Sequence, residues 1–245
     1  WLQGGLGQDR KDTGMLVKVF LETFKNMKNK PALILKTSGA GYSVLDRQTL
    51  LVKIDEIKVS IGGDLPNVYL FHGDFMDVEI NELYNHPKVK AHVSLTHGEG
   101  FGRPLLEASL SNKPVIAPNW SGHTDFLKRP NAVLLNGELT DVARGSFPDE
   151  FHQDGMKWFT VNYNEASRMM KDVYKNYRKY TLPAKKLTIY NKAKFSLDAM
   201  TREFGLLLDR YVPEFPKEIK LKLPKLTKVN NVEAPKIKLP KLKKV

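Results

Sequence analysis

Short apolar runs alternate along the chain with stretches in which apolar side chains recur every three or four positions. Runs of the first kind are typical of buried strands, and stretches of the second kind are typical of amphipathic helices. The predicted strands are residues 32–35, 68–71, 91–94 and 114–117. The predicted helices between and before them are built on residues 15–24, 50–57, 78–84 and 104–110. Because the strands are continuously apolar, they indicate an α/β fold with a doubly wound parallel sheet covered on both faces.

The pattern becomes less regular after Gly137. Two further strands, residues 132–135 and 156–160, are predicted on either side of an irregular stretch. Two or three helices then end the body of the chain. One contains the apolar residues from Ala166 to Tyr177, and another contains those from Leu197 to Leu208. The sequence therefore predicts one body, residues 1–211, followed by a tail, residues 212–245.

The tail contains most of the chain's positive charge. Residues 212–245 include ten Lys and three Glu, a net +7 of the chain's +12, which leaves an ordinary +5 for the body. The pentapeptide Lys-Leu-Pro-Lys-Leu occurs twice, at 222–226 and 238–242. Because Pro breaks helices, an extended basic tail is expected. It is either a solvated arm or an arm that docks on a protein partner or an anionic surface. The absence of aromatic residues after Phe215 argues against nucleic acid as a partner, because no base could stack there.

Composition excludes several classes of protein and site. The chain has no Cys, which excludes a disulfide scaffold, a thiolate zinc site and a cysteine nucleophile. No apolar run approaches the roughly 18 residues that a membrane-spanning helix needs. No signal peptide is visible either, so the expected location is the cytoplasm. The histidines show no metal-ligand spacing, and no metal site is predicted.

The segment from His97 to Ala108, His-Gly-Glu-Gly-Phe-Gly-Arg-Pro-Leu-Leu-Glu-Ala, is the best candidate for chemistry. It follows a predicted strand and begins a helix. Its glycines allow a ligand to approach the backbone, and Pro104 suits the first helical position. The free amides at such a helix start bind anions, above all phosphate. Glu107 is expected one turn into the helix, on the same side as Arg103.

Glu99 and Glu107, in the context E-G-F-G-R-P-L-L-E-A, resemble the E-x7-E motif of retaining glycosyltransferases of the glycosyl-transferase group 1 family. These enzymes have the GT-B fold of two Rossmann-like domains. Four shorter segments are also similar to segments of that family: residues 9–12, 71–75, 112–119 and 121–125. The resemblance covers residues 1–211 and identifies them with the C-terminal, donor-binding domain. The resemblance implies that the acceptor-binding N-terminal domain of the family lies outside this chain.

The resemblance implies a nucleoside-diphosphate sugar as donor, bound without a metal or other cofactor, and retention of configuration at the anomeric carbon. Glu99 and the amides of Gly100, Phe101 and Gly102 would face the sugar, and Glu107 would bind the ribose hydroxyls. Lys11 would neutralise the diphosphate, with help from Arg10 or Arg103, and Phe75 would lie near the base. The acceptor is unknown, and the fragment alone is expected to be inactive.

The sequence departs from the family pattern at three places. Gly5 stands where the family often has Arg, Arg103 replaces an apolar residue, and Thr96-His97 replaces Pro-Ser.

Simpler interpretations remain for each residue. Glu107 could cap its helix, Glu99 could be a turn residue, Lys11 could be a solvated lysine and His97 could be structural. For the whole chain, the alternative is a non-catalytic, glycosyltransferase-like assembly subunit that docks through its tail.

Overall fold

The computed structural model describes residues 9–38 and 41–213. It begins with three helices and three strands in alternation: α1 (Thr13–Phe24), β1 (Leu33–Lys36), α2 (Val44–Ile61), β2 (Val68–Phe71), α3 (Asp77–Asn85) and β3 (His92–Val93). The middle of the chain contributes α4 (Arg103–Ser109), β4 (Val115–Pro118), β5 (Val133–Leu135), β6 (Gly137–Asp141) and β7 (Lys157–Val161). Three helices follow, α5 (Tyr163–Lys175), α6 (Tyr177–Lys194) and α7 (Leu197–Tyr211).

The strands confirm an α/β fold built on parallel sheet. β1 pairs with β2, and β3, β4 and β5 form a second piece in that order, with all three pairings parallel. β6 and β7 form a separate antiparallel pair. Within the described ranges, no strand joins β1 to β3, so the parallel sheet consists of two pieces.

Buried apolar clusters hold the helices against these strands. Phe20 and Phe24 of α1 pack with Ile116 of β4 and with Val173 of α5. Another cluster joins α4 and β4 to Leu187 of α6. A third cluster lies between α1, α2 and the β1–β2 pair. These contacts fix the carboxyl ends of β3 and β4, where ligands bind in open α/β sheets.

The expectation of strands covered on both faces is correct for β4, whose four residues are all buried, but wrong for β2. Val68 and Leu70 of β2 pack against the helices, whereas Tyr69 and Phe71 are exposed. Side chains alternate across a strand, so Val68 and Leu70 share the packed face of β2, and Tyr69 and Phe71 share the other face. One face of this strand is therefore open.

Other differences from the sequence prediction concern element ends. Asp12, a residue type that often caps helices and so an expected cap of the helix at residues 15–24, precedes α1, but its side chain makes no cap hydrogen bond with that helix. Tyr177 begins α6, because Asn176 ends the preceding helix. Pro104 is the second residue of α4, which begins at Arg103. Strand β6 was not predicted, since most of its side chains are exposed and its sequence is polar.

The chain divides into two compact units, the first ending at Arg202 and the second beginning at Glu203, inside α7. The predicted boundary between body and tail after Tyr211 stays a prediction. The tail interpretation concerns residues 214–245 above all, and these lie outside the described residues, as does Gly5. In the described part of the chain, no helix is both long and apolar enough to cross a membrane.

Candidate functional site

The glycine-rich loop after β3 ends in a left-handed turn that starts α4. Gly102 has φ 85°, a conformation that glycine adopts without strain, and its carbonyl accepts the amides of Leu105 and Leu106 at 2.9 and 3.2 Å. A β-carbon at Gly102 would also lie only 3.1 Å from the β-carbon of His123. The turn therefore fixes where α4 begins, and residues 102–105 at this start line the cavity described below.

A second loop, residues 119–125 after β4, holds the first one in place. The Ser121 hydroxyl donates to the Glu99 carbonyl at 2.6 Å and accepts the Glu99 amide at 3.0 Å. The Gly122 amide donates to the same carbonyl at 3.0 Å. The loops are so close that a β-carbon at Gly122 would fall 1.9 Å from the carbonyl oxygen of Gly100. The backbone around Glu99 is thus fixed on both sides.

The carboxylate of Glu99 lies between two cations from the turn before α1. Lys11 Nζ is 2.5 Å from Glu99 Oε1, and Arg10 Nη1 is 3.2 Å from Oε2. The side chains of Lys11 and Glu99 are only 10% and 11% exposed. Burial alone would raise the pKa of Glu99, but the hydrogen bond and charge of Lys11, together with Arg10, hold it below its usual value. Glu99 is therefore a carboxylate at neutral pH.

Backbone contacts keep these cations beside the loop. The Arg10 carbonyl accepts the His97 amide at 2.8 Å and the Thr96 hydroxyl at 3.1 Å. The Arg10 guanidinium also donates to the Gly98 carbonyl. Arg10 and Lys11 thus form one structural unit with Glu99, although 89 and 88 positions separate them from it in the sequence.

Two acids lie behind this unit, the half-buried Asp9 and the buried Asp12. Asp9 accepts the Lys11 amide at 2.8 Å, and Asp12 accepts the Tyr163 hydroxyl at 2.7 Å. Burial raises the pKa of both carboxyls above its usual value. Asp12 therefore orients the hydroxyl of Tyr163 instead of capping α1.

His97 makes structural contacts at the base of the loop. Its Nδ1 is 2.8 Å from the Phe159 carbonyl, so this nitrogen carries the proton and donates. Its ring stacks on Trp158, with centroids 3.9 Å apart and planes 9° from parallel. Its Nε2 is 3.9 Å from Asp12. These contacts agree with the structural role expected for His97.

The first turn of α4 carries a second, more open ion pair. Arg103 Nε donates to Glu107 Oε1 at 2.6 Å, as expected for residues on one side of the helix. Arg103 also lies 3.6 Å from Asp77. The Arg103 and Glu107 side chains are 65% and 34% exposed, so this pair is largely in contact with solvent.

Phe75 and Phe101 mark the apolar side of the candidate site. The ring of Phe75 stacks on that of Phe71 with the ring centres 6.0 Å apart, and Lys36 Nζ lies 5.4 Å from the centre of the Phe75 ring. Phe101 is exposed and contacts Phe126 at 5.3 Å.

One cavity of about 1460 Å³ connects most of the predicted site residues. Six of the nine predicted site residues line this cavity: Lys11, Phe75, Glu99, Gly102, Arg103 and Glu107. Of the other three, Arg10 contacts Glu99, Gly100 lies against Gly122, and Phe101 packs on Phe126. The cavity exceeds an ordinary ligand pocket because it continues between β1 and β3, where residues 33–36 and 91–94 line it.

A histidine–aspartate pair near β2 was missed. His72 Nε2 is 2.7 Å from Asp46 Oδ2, and both side chains are buried. His72 directly follows β2, at the sheet edge where chemistry is expected. The position of His72 after β2 could have identified it as a candidate site residue. Its contact with Asp46 on α2 could not be predicted from local sequence. Tyr163 was missed for the same reason, being 151 positions from Asp12.

Among the described residues, no three or more His, Asp and Glu side chains form a group that could hold a metal ion. Metal independence nevertheless stays a prediction.

Neither a protein-family model nor a curated protein sequence matches the chain. Solved structures do. HepE of Anabaena, determined with UDP-glucose, matches with TM-score 0.55 and 14% identity over 82% of this chain and 46% of its own. The C-terminal domain of LpcC from Francisella tularensis, a glycosyl transferase group 1 family protein, matches with TM-score 0.53 and 15% identity over 77% and 81%. The N-terminal domain of trehalose-6-phosphate phosphatase from Candida albicans matches with TM-score 0.58 and 14% identity over 85% and 40%.

At these identities the likeness shows the fold alone. The fold is that of the Rossmann-like C-terminal domain of GT-B proteins, as predicted. The chain spans about half the length of the HepE chain.

Proposed function

We propose that this chain is the donor-binding half of a retaining glycosyltransferase that uses a nucleoside-diphosphate sugar. The observation that carries the proposal is the meeting of Lys11, Glu99 and the start of α4 at one cavity. Cations and a helix N-terminus at one cavity suit a diphosphate, and a fixed carboxylate suits the hydroxyls of the attached sugar. The structures of HepE with UDP-glucose and of the LpcC domain support it through a shared fold.

In this proposal the two cations bind and stabilise the diphosphate. Lys11 pairs with Glu99 at 2.5 Å in the free protein, so a diphosphate has to attract Lys11 away from that carboxylate or share it. As the bond to the sugar breaks, negative charge grows on the leaving diphosphate, and the preorganised Lys11 and Arg10 stabilise it. Glu99, freed of part of its partner charge, accepts hydrogen bonds from sugar hydroxyls.

The remaining predicted residues bind the other parts of the donor. The amides of Gly100, Phe101 and Gly102 face the sugar, and Glu107 binds the ribose hydroxyls. To do so, Glu107 exchanges its contact with Arg103, which is exposed enough to turn toward the diphosphate. Phe75 packs near the base. The reaction retains configuration and needs no metal.

The acceptor binds elsewhere in this scheme. An acceptor-binding domain outside this chain completes the cleft, and the chain alone binds donor without turnover. The HepE chain is about twice as long as the part of it that this chain matches, which leaves room for such a domain in the comparison protein.

Isothermal titration calorimetry of the chain with UDP-, GDP- and ADP-sugars tests the proposal. We expect binding of at least one donor and roughly tenfold weaker binding for Glu107→Ala, about 1.4 kcal/mol. The matched control is Glu22→Ala, an exposed glutamate on α1 outside the cavity, which should bind like wild type. No heat with any of these donors would leave only the scaffold interpretation.

A further inference from the structure

The C-terminal half of α7 exposes a row of large apolar side chains. Phe204, Leu207, Leu208 and Tyr211 are spaced i, i+3, i+4 and i+7, which places them on one face of the helix. They are 61%, 52%, 42% and 67% exposed. We call these four residues the α7 stripe. Val212, which is also exposed, directly follows it.

Such a stripe normally packs against something. A surface helix buries its apolar face, and a contiguous exposed apolar patch rimmed by polar residues marks an interaction site. Glu203, Asp209 and Arg210 provide the polar rim on the other side of this helix. The stripe is therefore a docking surface rather than ordinary surface variation.

The sequence immediately after the stripe indicates the chemistry of its partner. Residues 214–245 contain ten Lys and three Glu, with Leu, Ile or Val between the lysines. An amphipathic apolar face next to a cluster of lysines is typical of segments that lie on anionic membranes. The affinity of such a segment for a membrane grows with the apolar area that it buries and with the attraction of its lysines to anionic lipid.

We propose that the α7 stripe and the basic segment after it dock the chain on an anionic lipid surface. The stripe enters the boundary between headgroups and acyl chains, and the lysines meet the lipid charge. Nucleic acid would match the lysines but would leave the stripe in water. A protein interface of ordinary size buries about 800 Å² per partner with matched shapes, which four side chains in two helical turns do not provide. A lipid surface requires no such match.

Vesicle co-sedimentation of the full chain tests the proposal. The vesicles are pure phosphatidylcholine or phosphatidylcholine with about 30% phosphatidylserine, at low and high salt. We expect binding to the anionic vesicles only, weakened by salt. The double variant Phe204→Ser/Leu207→Ser should bind roughly tenfold less tightly. The matched control is Leu182→Ser, an exposed leucine on α6, which should bind like wild type.

Four results would overturn the proposal. They are no binding to anionic vesicles, equal binding to neutral ones, unchanged binding of the double variant, and a wild-type dimer that the double variant dissociates. Circular dichroism of each variant shows whether the helices remain. The single variant Phe204→Leu keeps the helix face apolar and should bind the anionic vesicles like wild type. Donor binding is not part of this assay, so its failure and that of the proposed function are separate results.

Discussion

Two ion pairs line the same cavity in opposite environments. The side chains of Lys11 and Glu99 are almost fully buried and joined at 2.5 Å, whereas Arg103 is largely exposed, Glu107 is half-buried, and the two are joined at 2.6 Å. The distances are nearly equal, but the surroundings are not. A buried pair leaves an uncompensated charge when one partner is removed, while an exposed pair is replaced by water at little cost. The buried pair is therefore part of the fold as well as of the proposed chemistry, and the exposed pair is free to exchange partners with a ligand.

The largest effect is expected from a substitution that forces apart the two loops around Glu99 and so exposes the buried ion pair. Gly122→Ala places a methyl group 1.9 Å from the Gly100 carbonyl oxygen, so one loop has to move. We expect a loss of about 3 kcal/mol in the free energy of unfolding, measured by urea denaturation. Gly100→Ala is the control, because its methyl group would meet nothing within 4 Å. Equal stability of the two variants would show that the loops are not held as described.

Removal of the buried cation is the next largest change. Lys11→Met leaves Glu99 with Arg10 alone, and we expect the free energy of unfolding to fall by about 2 kcal/mol. The double variant Lys11→Met/Glu99→Gln removes the stranded charge and should recover much of that loss. A double-mutant cycle from denaturation curves measures the coupling. Additive losses would contradict the pairing.

The pH dependence of stability should reveal the buried carboxylate. The pKa of Glu99 is lower in the folded chain than its ordinary 4.5, so its contribution is complete above 4.5 and is lost as pH falls through the folded value. Asp9 and Asp12 have raised pKa values and act in the opposite direction. The comparison of wild type with Glu99→Gln isolates the first effect. We expect their difference in urea midpoint to shrink below pH 4.5, and a constant difference would contradict the lowered pKa.

The exposed pair should show the smallest effect. Arg103→Ala should change the free energy of unfolding by at most about 0.5 kcal/mol, since water replaces the contact with Glu107. Denaturation in low and high salt measures this directly. A loss as large as that of Lys11→Met would remove the contrast between the two pairs.

Local sequence was sufficient for the elements of the sheet but not for the partners of the site. The apolar run at residues 68–71 coincides with β2, and the strand, loop and helix around Glu99 follow from glycine and proline positions. The spacing of Arg103 and Glu107 also predicted their contact, because helix neighbours are local. The E-x7-E resemblance identified the fold correctly.

Contacts across the fold could not be predicted from the pattern. Lys11 and Glu99 meet over 88 positions, and their ion pair in the free protein depends on where α1 packs. The His72–Asp46 pair and β6 were missed because the first is nonlocal and the second is polar and mostly exposed. The exposure of Tyr69 and Phe71 depends on what packs on the second face of β2, which a run of four apolar residues does not specify.

The stack of His97 on Trp158 gives the cavity an optical reporter. The His97 amide donates to the carbonyl of Arg10. The indole of Trp158 is therefore linked through His97 to the turn that carries Arg10 and Lys11, the cations beside Glu99. Trp158 is one of three tryptophans in the chain. Displacement of the turn that carries Arg10 and Lys11 would alter the emission of this indole. Intrinsic fluorescence of a Trp1→Phe/Trp120→Phe variant, in which Trp158 is the one remaining indole, would then follow rearrangement of the cavity in real time without any added label.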